Sequence, residues 1–347
     1  MGVLVGYGRF AAMLGGLALG WLADRLGRRR GVLAAAAAGF IVALVLLDGV
    51  SAFWTAAAII AAGSFLGGAR IPLADALASG ELADPVHQYG RVRAMGSAGW
   101  IVVLLGVWAF KLVQEDSPRS ILTAIVAAMA AYWLSILFLP DRHRRRAAHE
   151  DYPRGGGLDG AFWLYMAVVF LAAMGMSSHY AFFSLYLKDV IGLESVAWVW
   201  TIGALAEMPM IFFAGRVIRR FGLVGMLTAS LAAVSIRLGV YALWPNLWAV
   251  AAVQPLHAAT FGMIHIATIE FIRRKVDPSR RALALAVYVA CQMGLAGLLG
   301  SAGGGYIIKY LGGYRVMFGI YAAWPLAGLL LVALARRKLA AAGGKAR

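Results

Sequence analysis

The chain has 347 residues, of which 62% are hydrophobic and only 14% are charged. This apolar share exceeds what a soluble core can bury, so the composition excludes a water-soluble globular domain. The single cysteine, Cys291, excludes a disulfide framework within the chain. The net charge of +16 would suit nucleic-acid binding. The placement of the charges must decide whether they bind nucleic acid or orient the chain in a membrane.

Apolar stretches close to the length that a helix needs to cross a bilayer recur along the whole chain. They lack the strict alternation of a transmembrane strand, and a helix in lipid satisfies its own backbone hydrogen bonds. The sequence therefore predicts an all-α integral membrane protein. Eleven spans are predicted, at residues 3–22, 32–50, 53–77, 90–112, 120–139, 161–187, 196–215, 223–243, 247–272, 283–305 and 314–335.

Basic residues collect on alternate connections between these spans. The groups lie at residues 25–30, 91–93, 142–154, 216–220, 273–281 and 336–347. This positive-inside pattern marks cytoplasmic segments. It predicts a multi-pass protein of the inner membrane with a cytoplasmic linker and C-terminus, and it argues against nucleic acid as a partner.

Two loops repeat one pattern in the two parts of the chain. "GWLADRLGRRR" begins at Gly20 and "GRVIRRFG" begins at Gly215, and each has a second glycine and an arginine at the same offsets. Each loop joins two predicted spans, which indicates a duplicated helix bundle. The predicted domains are an N-terminal bundle at 1–140, a linker at 141–160, a C-terminal bundle at 161–336 and a tail at 337–347.

The two predicted halves differ in length. The second copy of the loop begins at residue 215 in a half that starts near residue 161, whereas the first copy begins at residue 20. The difference predicts five helices in the first bundle and six in the second, with one helix lacking ahead of Met1. A truncated, transport-inactive or receptor-like membrane protein is therefore the alternative to an active transporter.

"GWLADRLGRRR" resembles the signature between the second and third helices of the major facilitator superfamily. The resemblance implies a fold of two pseudo-symmetric helix bundles, five plus six helices here and six plus six in the family. It also implies a conformational latch that grips the opposite half in one state. The implied latch residues are Gly20, Asp24, Arg25, Gly27 and Arg28. The second copy has Arg219 at the acidic position, so only the first copy carries the full signature.

The stretch "PLADALASGELADPVHQYGRVRAMGSAGW", residues 72–100, resembles the fourth and fifth helices of the lactose permease and 3-phenylpropionate permease group of proton symporters. The resemblance implies that Asp75, Arg93 and Trp100 contact the substrate. Arg93, Ser97 and Trp100 share one helix face by spacing, and a buried guanidinium needs an anion such as Asp75. A purely structural pair between Asp75 and Arg93 is the alternative.

The second half places ionisable residues inside predicted spans, where a charge is costly unless it is paired. Glu207, Arg237 and His257 each lie well inside a span. The resemblance implies that Arg237 and His257 match the arginine and histidine of the lactose permease proton-coupling network. The coupling glutamate of that network matches Thr260 here, so we expect Glu207 to carry the proton. Histidines that only bond a neighbouring carbonyl are the alternative.

These patterns predict a proton-coupled secondary transporter that works as a monomer in the bilayer, with a small-molecule solute as partner. No cofactor is expected beyond the proton as coupling ion, and no metal site is expected. Two solute classes stay open: a sugar or nucleoside on Asp75 and Trp100, or an aromatic carboxylate on Arg93. The sequence lacks hydrolase, metalloprotease and ATP-binding motifs, so an enzyme is not predicted.

Overall fold

The computed structural model describes residues 2–81, 85–114, 116–139, 157–277 and 280–343. Within these ranges the regular elements are α-helices joined by short 3-10 and π-helical segments. Eight helical stretches of the described chain are long and apolar enough to cross a membrane. The prediction of an all-α multi-pass membrane protein is confirmed.

The described residues form fourteen α-helices, six of them in the N-terminal half. These six are α1 (Gly2–Leu26), α2 (Arg29–Leu47), α3 (Phe53–Gly67), α4 (Arg70–Glu81), α5 (Pro85–Phe110) and α6 (Pro118–Leu137). The predicted span 53–77 is thus divided between α3 and α4. Arg70 stabilises the division, because its Nε donates to the Gly67 carbonyl at 3.0 Å and its guanidinium lies 4.3 Å from the centre of the Phe40 ring.

The C-terminal half contains eight further helices. They are α7 (Gly160–Asp189), α8 (Ala197–Phe212), α9 (Ala214–Leu243), α10 (Leu247–Ala252), α11 (Ile264–Lys275), α12 (Arg281–Val289), α13 (Ala296–Ile307) and α14 (Gly313–Gly343). Helix α14 continues into the predicted tail at 337–347. Residues 141–156 of the predicted linker lie outside the described residues.

One apolar helical stretch, Leu283–Leu339, is 57 residues long and contains two of the predicted spans. The chain turns within it at Gly312 and Gly313, whose φ values are +126° and +82°. Both values lie in the region that favours glycine, so the sequence allows a sharp reversal without strain. The stretch therefore crosses the bilayer twice rather than forming one long helix.

Each half buries its own apolar core. The N-terminal core joins α1, α2, α4 and α6 through residues such as Ala23, Leu33 and Ile136. The C-terminal half has two larger cores, one along the first part of α7 and one along its second part, and α7 packs against α9, α13 and α14. Tyr165 and Phe271 stack in one of these cores with their ring centres 3.9 Å apart.

The halves meet where α1 packs against α13 and the π-helical segment Ala290–Leu295 before it, and where α5 packs against α8. Small residues allow α1 and α13 to approach closely, because a Cβ atom at Gly6 would lie 2.8 Å from the carbonyl oxygen of Leu298. We call the membrane side of Arg28, Arg219, Arg274 and Arg336 the basic side, and that of Asp48, Asp116 and Lys188 the opposite side. The close contact of Gly6 lies toward the opposite side.

The second glycine of each repeated loop has a positive φ. Gly27 and Gly222, the second glycine of each copy, have φ values of +66° and +62°. Gly222 marks the point where the chain changes direction within α9. Because these φ values are costly for other residues, the glycine in each copy is explained by the turn it makes.

We expect Gly15→Ala to destabilise the protein, because the new Cβ atom would overlap the carbonyl of Phe65 on α3. Overpacking of this kind costs about 1–3 kcal/mol. Gly239→Ala on α9 is the matched control, since no atom lies within 4 Å of the added Cβ. Thermal unfolding of the detergent-purified proteins checks the prediction, and equal melting temperatures for the two variants would contradict it.

Candidate functional site

The guanidinium of Arg237 lies at the centre of a buried polar cluster in the C-terminal half. Arg237 is only 1% exposed. Its Nη1 donates to the Thr260 hydroxyl and its Nη2 donates to the Gln254 side-chain oxygen, both at 2.9 Å. A buried charge is tolerated only when such hydrogen bonds replace its hydration. The cluster therefore holds a fixed positive charge inside a membrane-spanning bundle.

Two histidines also contact this guanidinium. His257 Nδ1 lies 3.4 Å from Arg237 Nη1, and His179 Nε2 lies 3.3 Å from Arg237 Nη2. Arginine can only donate, so both ring nitrogens must accept. The neutral form of His257 then carries its proton on Nε2. That nitrogen is 3.6 Å from the Glu207 Oε2 atom, so the proton points toward the carboxylate.

The irregular chain between α10 and α11 supplies three of these partners. It forms a 3-10 turn at Gln254–Leu256 and a π-helix at Ala258–Met263. The 3-10 turn places Gln254 and His257, three residues apart, on one line, and Thr260 follows in the π-helix. Gln254 is held in turn, since its Nε2 donates to the hydroxyl of Tyr241 at 3.0 Å.

Helix α8 brings Glu207 to this cluster. A Cβ atom at Gly203 would lie 3.2 Å from the Cβ of His257, so glycine lets α8 approach the irregular segment closely. The side chains of His257 and Glu207 are 14% and 19% exposed. Glu207, His257 and Arg237 thus form a continuous line of polar side chains, from a partly exposed carboxylate to a buried guanidinium. Their roles in proton coupling stay predictions.

Several members of the cluster are not among the residues predicted from the sequence. His179 and Gln254 are fully or almost fully buried and both contact Arg237. From the sequence, Thr260 is only the position where the lactose permease network has its coupling glutamate. In the structure the hydroxyl of Thr260 accepts a hydrogen bond from Arg237. His179 is the residue that the sequence could have indicated, because it lies inside a predicted span.

Arg9 enters the same region from the N-terminal half and is also absent from the predicted residues. It is half-buried on α1, where its alkyl chain packs against Gly297 of α13. Within the described part of the chain it makes no hydrogen bond or ion pair. Three residues further along α13, Gly300 packs against Ser177 of α7, so Arg9 lies close to α7. A lone arginine inside the predicted span 3–22 was the available signal.

The predicted substrate residues lie on α4 and α5. Asp75 is half-buried on α4, and its charge acts on Tyr132 of α6. Trp100 is 57% exposed on α5, where Gly96 and Gly99 have no neighbouring atom within 4 Å. The side chain of Arg93 lies outside the part of the structure that is described. The substrate roles of these three residues stay predictions.

The predicted latch residues are bonded within the N-terminal half. Asp24 accepts hydrogen bonds from Nε and Nη2 of Arg29 at 3.0 and 2.7 Å. Arg30 donates to the Leu139 carbonyl at 3.0 Å, next to the end of α6. Arg25 lies over the Trp21 ring at 5.2 Å. Gly20 has open space, Gly27 makes the turn, and Arg28 precedes α2.

The basic side of the C-terminal half has its own internal ion pairs. Glu270 bonds Arg273 and Arg274 at 2.7 and 2.6 Å. Lys275 Nζ lies 2.8 Å from the carboxylate of Asp159, which caps α7. The hydrogen bond from Lys275, followed by those of the first backbone N–H groups of α7, holds the pKa of Asp159 below its ordinary value. Each of these bonds stays within one half.

A cross-half ion pair lies on the opposite side. Lys188 Nζ, near the end of α7, is 3.0 Å from the carboxylate of Asp116 in the loop between α5 and α6. The α1–α13 contact at Gly6 lies toward the same side. These two contacts join the halves on the opposite side, whereas the loop bonds named above for the basic side stay within each half.

Known proteins are similar to this chain in sequence and in fold. The probable 3-phenylpropionic acid transporter of Escherichia coli (strain K12) is 26% identical over 325 residues, which cover 90% of this chain and 83% of that protein. Maltose permease of Geobacillus stearothermophilus is 26% identical over 278 residues, covering 78% and 69%. A mutant form of the nucleoside transporter NupG matches in structure with a TM-score of 0.78 at 18% identity, covering 96% of this chain and 90% of that one.

The helix bundles and these similarities define a transporter of the major facilitator superfamily rather than an enzyme. The protein moves small organic solutes across a membrane. The chain belongs to the MFS_1 like family, which matches it over residues 1–319. The resemblance found in the sequence is thereby confirmed.

We expect Thr260→Val to destabilise the protein, because it removes an acceptor from a buried guanidinium. An unpaired buried donor costs about 1–3 kcal/mol. Thr201→Val is the matched control, since Thr201 is equally buried but its hydroxyl only donates to the Ala197 carbonyl of its own helix. Melting temperatures of the purified variants give the comparison, and a loss that is equal in both would show that Thr260 is an ordinary buried threonine.

Proposed function

We propose that this protein is a proton-coupled symporter of the inner membrane, in which Glu207 carries the proton. The contact of His257 with both Arg237 and Glu207 carries the proposal. Arg237 keeps its charge, and His257 accepts from it through Nδ1, so Glu207 is the group left to gain and lose a proton. The carboxylate of Glu207 is partly exposed, so water can reach this proton.

The charges of the cluster provide a physical reason for coupling. With Glu207 ionised, its negative charge opposes the fixed charge of Arg237 through His257. When Glu207 binds a proton, the positive charge is left uncompensated in a region of low dielectric. An anionic solute then binds more favourably to the protonated state. Proton and solute thus stabilise the same state, which is the condition for symport.

Alternating access follows from the contacts between the halves. The positive-inside rule assigns the basic side to the cytoplasm. The conformation described here is then closed toward the outside, where Lys188 pairs with Asp116, whereas the described ion pairs of the cytoplasmic loops stay within each half. In the outward-facing state the latch residues Asp24, Arg25 and Arg28 would exchange their present contacts for contacts with the C-terminal half.

The solute belongs to one of two chemical classes. The relatives include a probable 3-phenylpropionic acid transporter and a maltose permease, which favour an aromatic acid and a sugar respectively. An open indole such as Trp100 can stack on either an aromatic ring or a sugar ring. The alternative of a transport-inactive receptor is not favoured, because the relatives are transporters.

We expect Glu207→Gln to abolish accumulation of solute driven by a pH gradient while solute exchange continues. Glutamine keeps the size of the side chain but cannot release a proton. The measurement is uptake of labelled 3-phenylpropionate, maltose and uridine into proteoliposomes, with and without an imposed gradient. Glu194→Gln, in the exposed loop after α7, is the control.

Two results would count against this proposal. Wild-type uptake that is indifferent to the pH gradient for every accumulated solute would exclude proton symport. Gradient-driven accumulation that persists in Glu207→Gln would show that another group carries the proton.

Reversing either charge of the ion pair between the halves should open the opposite side. Asp116→Lys or Lys188→Asp places like charges about 3 Å apart, whereas the double reversal restores the attraction. Spin labels at Gln114→Cys and Val190→Cys in a Cys291→Ser background report the distance between the halves. We expect a longer distance in each single reversal and the original distance in the double reversal.

Asp48→Lys is the matched control for this distance measurement. It reverses one partner of the Asp48–Arg119 pair, which lies on the same side but within the N-terminal half. An equal change in this control, or no change in the Asp116 variant, would remove the gating role of the cross-half pair.

A further inference from the structure

Arg9 is a membrane-embedded guanidinium whose hydrogen-bonding capacity is unused in the described part of the chain. It lies seven residues into α1 from Gly2, about 10 Å along the helix axis. Arg70, also inside a span, has the Gly67 carbonyl as acceptor, and Arg237 has Thr260 and Gln254. An unpaired charge at this depth is costly, so the position of Arg9 indicates a ligand that binds reversibly.

Arg9 and Ser177 of α7 both pack against α13, at Gly297 and Gly300, and Tyr180 follows Ser177 by one helical turn. Tyr180 is similarly available. Its hydroxyl makes no hydrogen bond within the described residues. It is 37% exposed, although the residues before it on α7 are buried. Its ring centre is 6.4 Å from that of His257, whose side chain is largely buried. The open space beside Tyr180 therefore lies on the side of the polar cluster.

We infer that Arg9 and Tyr180 bind the carboxylate of the transported solute, one donor from each half of the protein. This inference rests on the proposed function and assigns the solute to the small organic carboxylates. The planar guanidinium fork matches the two oxygens of a carboxylate, and a phenol hydroxyl adds a third donor. A neutral sugar or nucleoside would leave the charge of Arg9 uncompensated.

The position of the pair connects solute binding with the proton site. Tyr180 follows His179, which contacts Arg237, and its ring lies beside His257, which contacts Glu207. A carboxylate held by Arg9 and Tyr180 therefore lies near the positive charge that protonation of Glu207 leaves uncompensated. The same carboxylate bridges α1 and α7, so it would draw the halves together at the level of the site.

Binding at one fixed pH, without a gradient, tests this inference by isothermal titration calorimetry of the purified full chain. The probes are 3-phenylpropionate, cinnamate and gluconate, each compared with its neutral amide, together with maltose and uridine. We expect wild type to bind at least one carboxylate about 10- to 100-fold more tightly than the amide. Arg9→Gln should remove this preference, and Tyr180→Phe should reduce it.

Arg9→Lys keeps the charge but loses the fork, so an intermediate preference is expected. Arg119→Gln and Tyr310→Phe are exposed controls that should bind as wild type does. If Arg9→Gln does not fold, Tyr180→Phe and the wild-type comparison of acid with amide decide the question. The inference is overturned if no carboxylate binds, if each amide binds as well as its acid, or if folded Arg9→Gln keeps the preference.

These results separate the inference from the proposed symport. Carboxylate binding that depends on Arg9, combined with uptake indifferent to a pH gradient, would contradict symport and leave the anion site intact. Gradient-driven accumulation of maltose or uridine that persists in Arg9→Gln would overturn the anion site and leave symport intact.

Discussion

The buried charge of Arg237 is the constraint on which the C-terminal half depends. A guanidinium that is 1% exposed in a membrane-spanning bundle must find its acceptors inside the protein. The chain provides them from α7 and from the segment between α10 and α11, which is 3-10 and π-helical rather than regular. The irregular segment, the glycine at 203 and the burial of Gln254 are then explained by one requirement.

Most of the fold could be predicted from the sequence, because lipid restricts a spanning chain to helices of a narrow length range. What could not be predicted are features that depend on contacts between helices. The division between α3 and α4 depends on Arg70 meeting Phe40, thirty residues earlier in the chain. Likewise, nothing in the local sequence requires a π-helix at Ala258–Met263 until Arg237 is placed beside it.

The candidate site was predictable where charge itself was the signal. Glu207, Arg237 and His257 stand out because ionisable residues are rare in membrane spans, and the structure joins them. Gln254 and Thr260 carry no charge, so their importance becomes visible only from the guanidinium that they serve. Arg9 carries a charge, but the local sequence does not show its surroundings. Arg9 lies on the same helix face as Gly2 and Gly6, which packs against α13, and Tyr180 lies across the interface.

On the proposed mechanism, the halves contribute different components, and this difference gives a reason for coupling between them. The C-terminal half holds the proton site and the fixed charge of Arg237, whereas the N-terminal half contributes the charge of Arg9. In the empty protonated state both positive charges lack a compensating anion. A carboxylate supplies one and adds hydrogen bonds to both halves, so it favours the state in which they approach. Loss of the proton restores the negative charge of Glu207 close to the bound anion, which favours its release.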